Sequence, residues 1–532
     1  MDIDSIWATI EENLPDKMTM EEYKNYILGF LFYRYISKKQ EEYLMNNYVI
    51  DIASDESVNN AFGRQVVKEN LDDYIKDISS SLGYAICPHD TWSSLVNRIN
   101  DNTVIPEDFQ TIFDNFDKYT VLNVNAGRNY RDIFKDIKIA DTRLGSDTNA
   151  RAKTLCKIID TIDKIEFKGE PGEIFRGLIE RFARSSGKTG GKFYTPQAVS
   201  NLMAKLVTAD AKDIDTVFTA YDMSCGSGSS LLELRNEVPG GEREGAIKYY
   251  GEEIEFATYN LARMNLVING IRASNVVLKN ADTLGEDWPD GIDGNGYNHL
   301  SRFNAIVSDI EFSRKWDNSK CRLEDPRFQN YGRLAPKSTA DYAFLLHGLY
   351  HLDEEGTMAV VPHGVLFRGK AEETIRKNLI NNQGGNQIHA IIGLPENIMF
   401  SEKGKKSVSL VIMVLKKKKE SNDILFIDAS QEFEKRKNKN FLNANHISKI
   451  MSAYKTRIDI PKYAHLASHE ELESNEFNLN ISRYVDASDE EPDINPIEIC
   501  NMLQEDETQI MELTKLVNND LRLLGVLEEQ NK

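Results

Sequence analysis

The sequence predicts an α/β protein in three parts: a helical N-terminal domain, a domain built on a mostly parallel seven-stranded sheet, and a helical C-terminal tail. Three observations carry this reading. Apolar residues recur at spacings of three and four through the first 170 or so residues. From residue 217, short β-branched runs alternate with stretches mostly long enough for helices, the pattern of a parallel sheet covered on both faces. A polar linker then precedes one last helical stripe. The expected boundaries are 1–170, 171–485 and 486–532.

In the first part, EEYKNYILGFLFYRYISKKQEEYL sets Tyr26, Phe30, Tyr33 and Ile36 on one helical face with charges between them. In the second, the strand-like runs are TVFTAY, AIKYYG, NVVLKN, FNAIVS, TMAVVP and IHAIIGLP. A seventh, KSVSLVIMVLKKKK, follows after a connection too short for much helix and is placed to return antiparallel beside the sixth. In the third, DASDEEPDINP (486–496) reads as a linker. Beyond it, Leu503, Ile510, Leu513, Val517, Leu521 and Leu524 share one helix face, suited to docking on a partner's helices.

Composition narrows the function classes. With 532 residues, 41% hydrophobic and 28% charged, the chain is a globular protein of two or three domains. No apolar run approaches the roughly 20 residues needed to span a bilayer, and MDIDSIWATI lacks a secretory-signal layout. The five cysteines are scattered, never as C-x-x-C, so neither a disulfide framework nor a metal site is expected and a cytoplasmic location follows. A net charge of −20 opposes unaided binding to duplex DNA, whose non-specific affinity comes from Lys and Arg neutralising phosphates. A DNA substrate would need a partner to supply grip, or basic residues gathered on one face. The runs Lys416–Lys419 and Lys435–Lys437 are the local candidates, although most such runs are solvated faces.

The chemistry gathers after the strands. FTAYDMSCGSGSSLLEL (218–234) gives a strand, Asp222, a turn with Gly226 and Gly228, then an amphipathic helix. Glycines let a ligand approach the backbone, and the helix N-terminus favours negative charge. G-x-G also occurs at many structural turns, so the next two runs matter. Glu252-Glu253 follows the second, where an acid can take both hydroxyls of a ribose. Asp282 follows the third, where a carboxylate can accept from an adenine amino group. Carboxylates after three consecutive strands, beside a glycine turn, describe a nucleoside-shaped crevice. Upstream, GKTGGKFYTP offers a glycine-rich loop with two aromatics that suits a lid, just before a helix. After the fourth run come Ser308, Asp309, Ile310, Glu311 and Phe312, an acid followed three places later by an aromatic, which suits gripping a flat, nitrogen-rich ring. His363, after the fifth run, suits a structural hydrogen bond; Arg368 and Arg376 either position a helix or face DNA.

GKFYTP, DMSCGSGSSLLEL, GEEIEFATYNLARMNL, NADTL, ADYAFLLH, GTMAVVPHGVLFRGKAEETIRKNLI, AIIGLPENIMF and NLNISRYVD occur in the order found in the modification subunits of type I restriction–modification systems, and the chain resembles that family from about residue 20 to its end. The resemblance implies a Rossmann-like domain that transfers a methyl group from S-adenosylmethionine to adenine N6 in DNA. It implies work beside a specificity subunit, a restriction subunit and a second copy of the chain. Its cofactor loop falls on Gly191, Lys192, Phe193, Tyr194, Thr195 and Pro196, its glycine motif on Asp222, Cys225, Gly226, Ser227 and Gly228, its ribose acid on Glu253 and its adenine-side acid on Asp282. Where the family has Gln, Pro and Ala, this chain has Glu252, Met223 and Ser224.

The fourth strand of that family ends in Asn-Pro-Pro-Phe or Tyr, and related enzymes begin with Asp. A side-chain oxygen and a backbone carbonyl accept the two N–H groups of the amine, the prolines preset the turn, and the aromatic stacks on the flipped base. By the same resemblance the acceptor is Asp309 and the stacker Phe312, with Ile310 and Glu311 in place of the prolines. Backbone carbonyls survive that change, whereas the rigidity of paired prolines does not, and Glu311 adds a second carboxylate. Two readings follow: a working methyltransferase, or a cofactor-binding structural subunit that no longer methylates. A nicotinamide dehydrogenase would share the glycine turn and the ribose acid, but has no use for Phe-Tyr-Thr-Pro or for the acid–x–x–aromatic.

Overall fold

The first two helices begin at side-chain caps. In the computed structural model of the protein, the Asp2 carboxylate accepts the Ser5 amide at the head of Ile3–Asn13. Thr19 and Glu22 close a capping box on Met20–Asn46. The structure describes residues 2–526 apart from 16, 48, 121–128, 167–168, 186–194, 212–215, 286–300, 311–313, 363–364, 382–385, 399–409, 437–438 and 488–495. Residues 1–485 form one compact unit and 486–532 a second.

The Met20–Asn46 helix buries Tyr26, Phe30, Tyr33 and Ile36, as its spacing predicts. Tyr33 meets Phe113, Phe116 and Phe134 edge-on, the arrangement that ring quadrupoles favour. This helical core does not stop at the sheet domain. The Phe256–Ile268 helix contributes Leu261, Met264, Val267 and Ile268 to it, and sends Ala262 and Leu266 into the core on the other side. A helix apolar on two sides is buried on two sides. Its buried Arg263 donates to the carbonyls of Asn129 (3.2 Å) and Arg131 (2.9 Å), fastening the two regions.

The strands are β1 Phe218–Asp222, β2 Ile247–Glu253, β3 Val276–Asn280, β4 Phe303–Asp309, β5 Leu352–Val361, β6 Ile388–Gly393, β7 Val411–Lys416, β8 Ile424–Asp428 and β11 Ala464–Ala467. They form one sheet in the order β11-β8-β6-β7-β5-β4-β1-β2-β3. β7 runs antiparallel between β5 and β6, as expected from its short connection, and β11 runs antiparallel on β8. The sheet therefore has nine strands rather than the seven expected. β8 (ILFID) has strand propensity of its own and is no shorter than β1 and β3, whereas β11 (AHLA) has no β-branched residue and owes its strand form to pairing with β8. A separate ribbon pairs β9 (Glu434–Arg436) with β10 (Lys439–Phe441).

The chain runs outward through β1, β2 and β3, then returns to place β4 on the other side of β1, parallel to it. That reversal opens a crevice at the carboxyl ends of β1 and β4, where open α/β sheets bind ligands. Alternation along β4 feeds both faces: Ala305 and Val307 enter one core, Ile306 the other.

The second unit holds the Pro496–Leu523 helix, whose Leu503, Ile510, Leu513 and Val517 are exposed. Among the described residues, no helix is long and apolar enough to cross a membrane, and no group of His, Cys, Asp or Glu is placed to hold a metal ion.

Candidate active site

β1 delivers Asp222 into the crevice mouth. Its side chain is 2% exposed, and Oδ1 accepts the Ser224 amide (3.1 Å) and the Ser308 hydroxyl (2.8 Å). Burial, with Asp309 and Glu253 nearby, pushes its pKa up to about 7. Gly226 (φ 52°) and Gly228 (φ 76°) then take the left-handed turn that starts the Ser229–Glu237 helix. Among the described residues, a Cβ on Gly226 would have nothing nearer than the Ser224 carbonyl at 4.0 Å. The Cys225 amide donates to the Glu252 carbonyl (2.9 Å), which locks the turn to β2. Gly251 makes that approach feasible: a Cβ there would stand 2.9 Å from Leu278 Cδ2 and 3.1 Å from Cys225 Cβ.

Glu253 ends β2, partly buried, its Oε1 accepting the Glu255 amide at 2.8 Å. Asp282 follows β3 with a half-exposed side chain, and accepts from Arg314 Nη2 at 3.1 Å. Asp222, Glu253 and Asp282 thus stand at three neighbouring strand ends, as the sequence predicts, while Arg314 was not anticipated.

At the end of β4 the geometry adds more than the sequence suggested. The Asp309 carbonyl accepts the Ser224 hydroxyl at 3.0 Å, and the Ser224 and Ser308 hydroxyls lie 2.7 Å apart. Ser224 stands where the resembling family has alanine, so that departure was the signal for a brace between β1 and β4. Thr195, expected beside the cofactor, donates its hydroxyl to Asp309 Oδ2 at 2.6 Å. Pro196 is buried and caps the Gln197–Val207 helix. Ile310 is 1% exposed and packs in the cluster that holds Met223, Leu284 and Phe344. Gly191, Lys192, Phe193, Tyr194, Glu311, Phe312 and His363 lie outside the described residues.

Two basic features resolve differently. Arg376 is buried and donates to the carbonyls of Phe477, Val365 and Arg368, so it fastens loops and does not face DNA. Arg368 pairs with Glu372 at 3.4 Å. Within the lysine run, Lys418 pairs with Glu355, while Lys419 donates to the Ile388 and Asp423 carbonyls, its pKa pushed down to about 7 by burial. Lys435 and Arg436 are exposed on the β9–β10 ribbon.

The N-6 DNA methylase family model matches residues 169–493, and the HsdM N-terminal domain model matches 3–162. The methylase subunit of the type I restriction enzyme MpnII from Mycoplasma pneumoniae is 33% identical, over 93% of this chain and 91% of its own length. That of MjaIX from Methanocaldococcus jannaschii is 24% identical over 98% and 90%. The crystal structure of a type I restriction–modification methyltransferase subunit from Streptococcus thermophilus superposes with a TM-score of 0.81 at 38% identity, covering 92% of this chain and all of that one. The chain belongs to the N6-adenine DNA methylase family, among the methylase subunits of type I restriction–modification systems, and S-adenosylmethionine is its methyl donor.

Proposed function

We propose that Asp309 and the turn that follows it make this subunit an active adenine methyltransferase. The observation that carries this is the double hold on Asp309, by Thr195 on its carboxylate and by Ser224 on its carbonyl. A carboxylate accepts several donors at once, so one oxygen can hold Thr195 while the group receives an N–H of the adenine amine. A neighbouring backbone carbonyl, as in the resembling family, is the second acceptor. Two acceptors hold the amine nitrogen pyramidal, with its lone pair out of conjugation and directed outward. Asp309 is also a base for the proton that the amine sheds. Phe312 stacks on the extruded base.

The donor's pocket fits the residues present. The room that the described residues leave beside Gly226, the helix N-terminus at Ser229, and acids after β1, β2 and β3 suit a nucleoside bearing an amino acid. Glu253 takes the ribose hydroxyls and Asp282 the adenine side. Asp222 and Cys225–Gly228 line the amino-acid end, and the resemblance assigns Gly191–Pro196 to binding the donor as well. When bound, S-adenosylmethionine supplies an electrophilic methyl group.

The working divisions are residues 1–170, 171–485 and 486–532. The subunit acts in the cytoplasm on double-stranded DNA, beside a specificity subunit, a restriction subunit and a second copy of itself. The net charge of −20 supports the need for a partner that grips DNA. The second reading, a subunit that binds the donor without methylating, rests on Ile310 and Glu311 replacing the prolines. Methyl transfer from labelled donor to target DNA by the assembled complex separates the two. Wild type should label DNA and Asp309→Ala should not; silence of wild type in an assembled complex that binds the donor favours the second reading.

A further inference from the structure

A line of buried polar side chains crosses the protein below the donor crevice, with no role in the chemistry above. Arg327 Nη1 lies 3.2 Å from His347 Nδ1, His347 Nε2 lies 2.8 Å from the Tyr221 hydroxyl, and that hydroxyl lies 2.5 Å from Glu252 Oε1. All four side chains are at most 2% exposed. The direction of the line follows from the donor inventory. A guanidinium only donates, so His347 Nδ1 accepts and Nε2 carries the ring's proton. Nε2 then donates to the Tyr221 oxygen, and the phenol's single proton goes to Glu252. Burial, His351 and Arg327 hold His347 neutral, its pKa well below the usual value, which keeps this order in place.

Both ends are tied to the donor-binding segments. Arg327 carries the Asp325 carboxylate at 2.7 and 2.9 Å and donates to the Thr283 carbonyl at 3.1 Å. The Thr283 hydroxyl in turn donates to the Met223 carbonyl at 2.7 Å. Glu252, at the other end, precedes Glu253 and accepts the Cys225 amide on its carbonyl at 2.9 Å. One continuous set of hydrogen bonds therefore touches the turn after β1, the end of β2 and the segment after β3, beside Asp222, Glu253 and Asp282 respectively. A buried polar line of this kind fixes geometry when satisfied and is costly when broken.

We propose that Arg327, His347 and Tyr221 are positioning residues for the methyl donor, holding Glu253 and Asp282 in register with the glycine turn. This rests on the reading that those acids hold the donor. Glu252 fits the line in either of two chemical forms, because a glutamine at 252 would present an amide oxygen to the same phenol proton.

The test is Tyr221→Phe, which deletes one oxygen and keeps the ring stacked on Phe303 at a centroid distance of 4.5 Å. Binding of S-adenosylmethionine and of S-adenosylhomocysteine is titrated on the full chain, and KM and kcat are measured in the assembled complex. Breaking one buried bond should weaken both ligands alike, by about ten- to a hundredfold, with KM for the donor raised and kcat at saturation near wild type. Glu252→Gln should stay within about threefold of wild type, since the acceptor oxygen is retained. A merely structural line would lower the melting temperature of Tyr221→Phe and leave donor affinity alone, and that result overturns the proposal. Should Tyr221→Phe fail to fold, His347→Gln is measured against the same criterion. Glu253→Ala is titrated in parallel. If it binds the donor as wild type does, the assignment of the pocket has failed; if it weakens binding and the Tyr221 or His347 variant does not, only the positioning role has failed.

Discussion

Thr195→Val isolates the contact that most changes the picture of this site. Valine keeps the shape of threonine and removes the hydroxyl that donates to Asp309 Oδ2 at 2.6 Å. A hydrogen bond to a charged acceptor contributes about 1.5–3 kcal/mol, and at 1.36 kcal/mol per decade its loss is roughly a 10- to 150-fold effect. Both side chains are only partly buried, so solvent screening moves the expectation toward the lower end of that range. The sign of the effect on each constant separates two roles. If the hydroxyl sets the orientation of Asp309, kcat falls by about tenfold or more while donor affinity stays near wild type. If Thr195 instead serves the donor directly, the affinity falls and kcat at saturation holds. Thr195→Ser should retain most activity because it retains the donor hydroxyl. Calorimetry for the donor and single-turnover labelling of target DNA by the assembled complex provide both constants. Turnover within twofold of wild type in Thr195→Val would refute the reasoning.

Two further outcomes follow from other parts of the molecule. Asp222 in the folded chain holds its proton up to about pH 7 against an ordinary value of 3.8. The folded state therefore binds more protons between these values, and the stability this contributes is complete below pH 3.8 and lost as pH rises through about 7. The full span is roughly 4 kcal/mol by linkage, so the melting temperature of ligand-free Asp222→Asn should gain on wild type between about pH 5 and pH 8; a constant difference contradicts the shift. Deleting residues 497–532 removes the exposed stripe of Leu503, Ile510, Leu513 and Val517 and should leave donor titration unchanged while abolishing co-purification with the specificity subunit; normal co-purification would make the stripe irrelevant to assembly.

The parts legible in the sequence were those in which one short segment carries its own signal. β4, β5, β6 and β7 each hold a short apolar run buried on both faces, Ala305–Val307, Met358–Val361, Ala390–Ile392 and Ile412–Leu415, so each carries its own signal. The acids at the strand ends were legible because an apolar run followed by a carboxylate is local. Thr195 and Asp309 are 114 positions apart, and nothing in either segment indicates that they meet. The same holds for Arg327 and His347: the Asp341–His351 helix is apolar nearly all round, and a histidine on it reads as ordinary core. Lys419 shows the converse error. A run of four lysines suggests an exposed face, yet this one turns inward to two carbonyls, a contact that sequence spacing does not encode.

The turn after Asp309 shows why motif chemistry and fold must be read together. Paired prolines stiffen such a turn by ring closure, and their replacement suggests a loose site. Here Ile310 is 1% exposed in an apolar cluster with Met223, Leu284 and Phe344, and Ser224 holds the preceding carbonyl. Burial of that side chain constrains the backbone at Ile310, where the resembling family has its first proline. Restoring proline at position 310 should therefore be harmful. Ile310→Pro removes part of a buried side chain and should cost stability on the scale of core truncations, about 1–3 kcal/mol, and lower methyl transfer. The comparison of Ile310→Val, expected to lose only about 0.5–1.5 kcal/mol and to keep activity, tests whether packing is the operative property. If Ile310→Pro is as stable as wild type and methylates faster, the turn is loose after all, and burial of Ile310 is incidental to it.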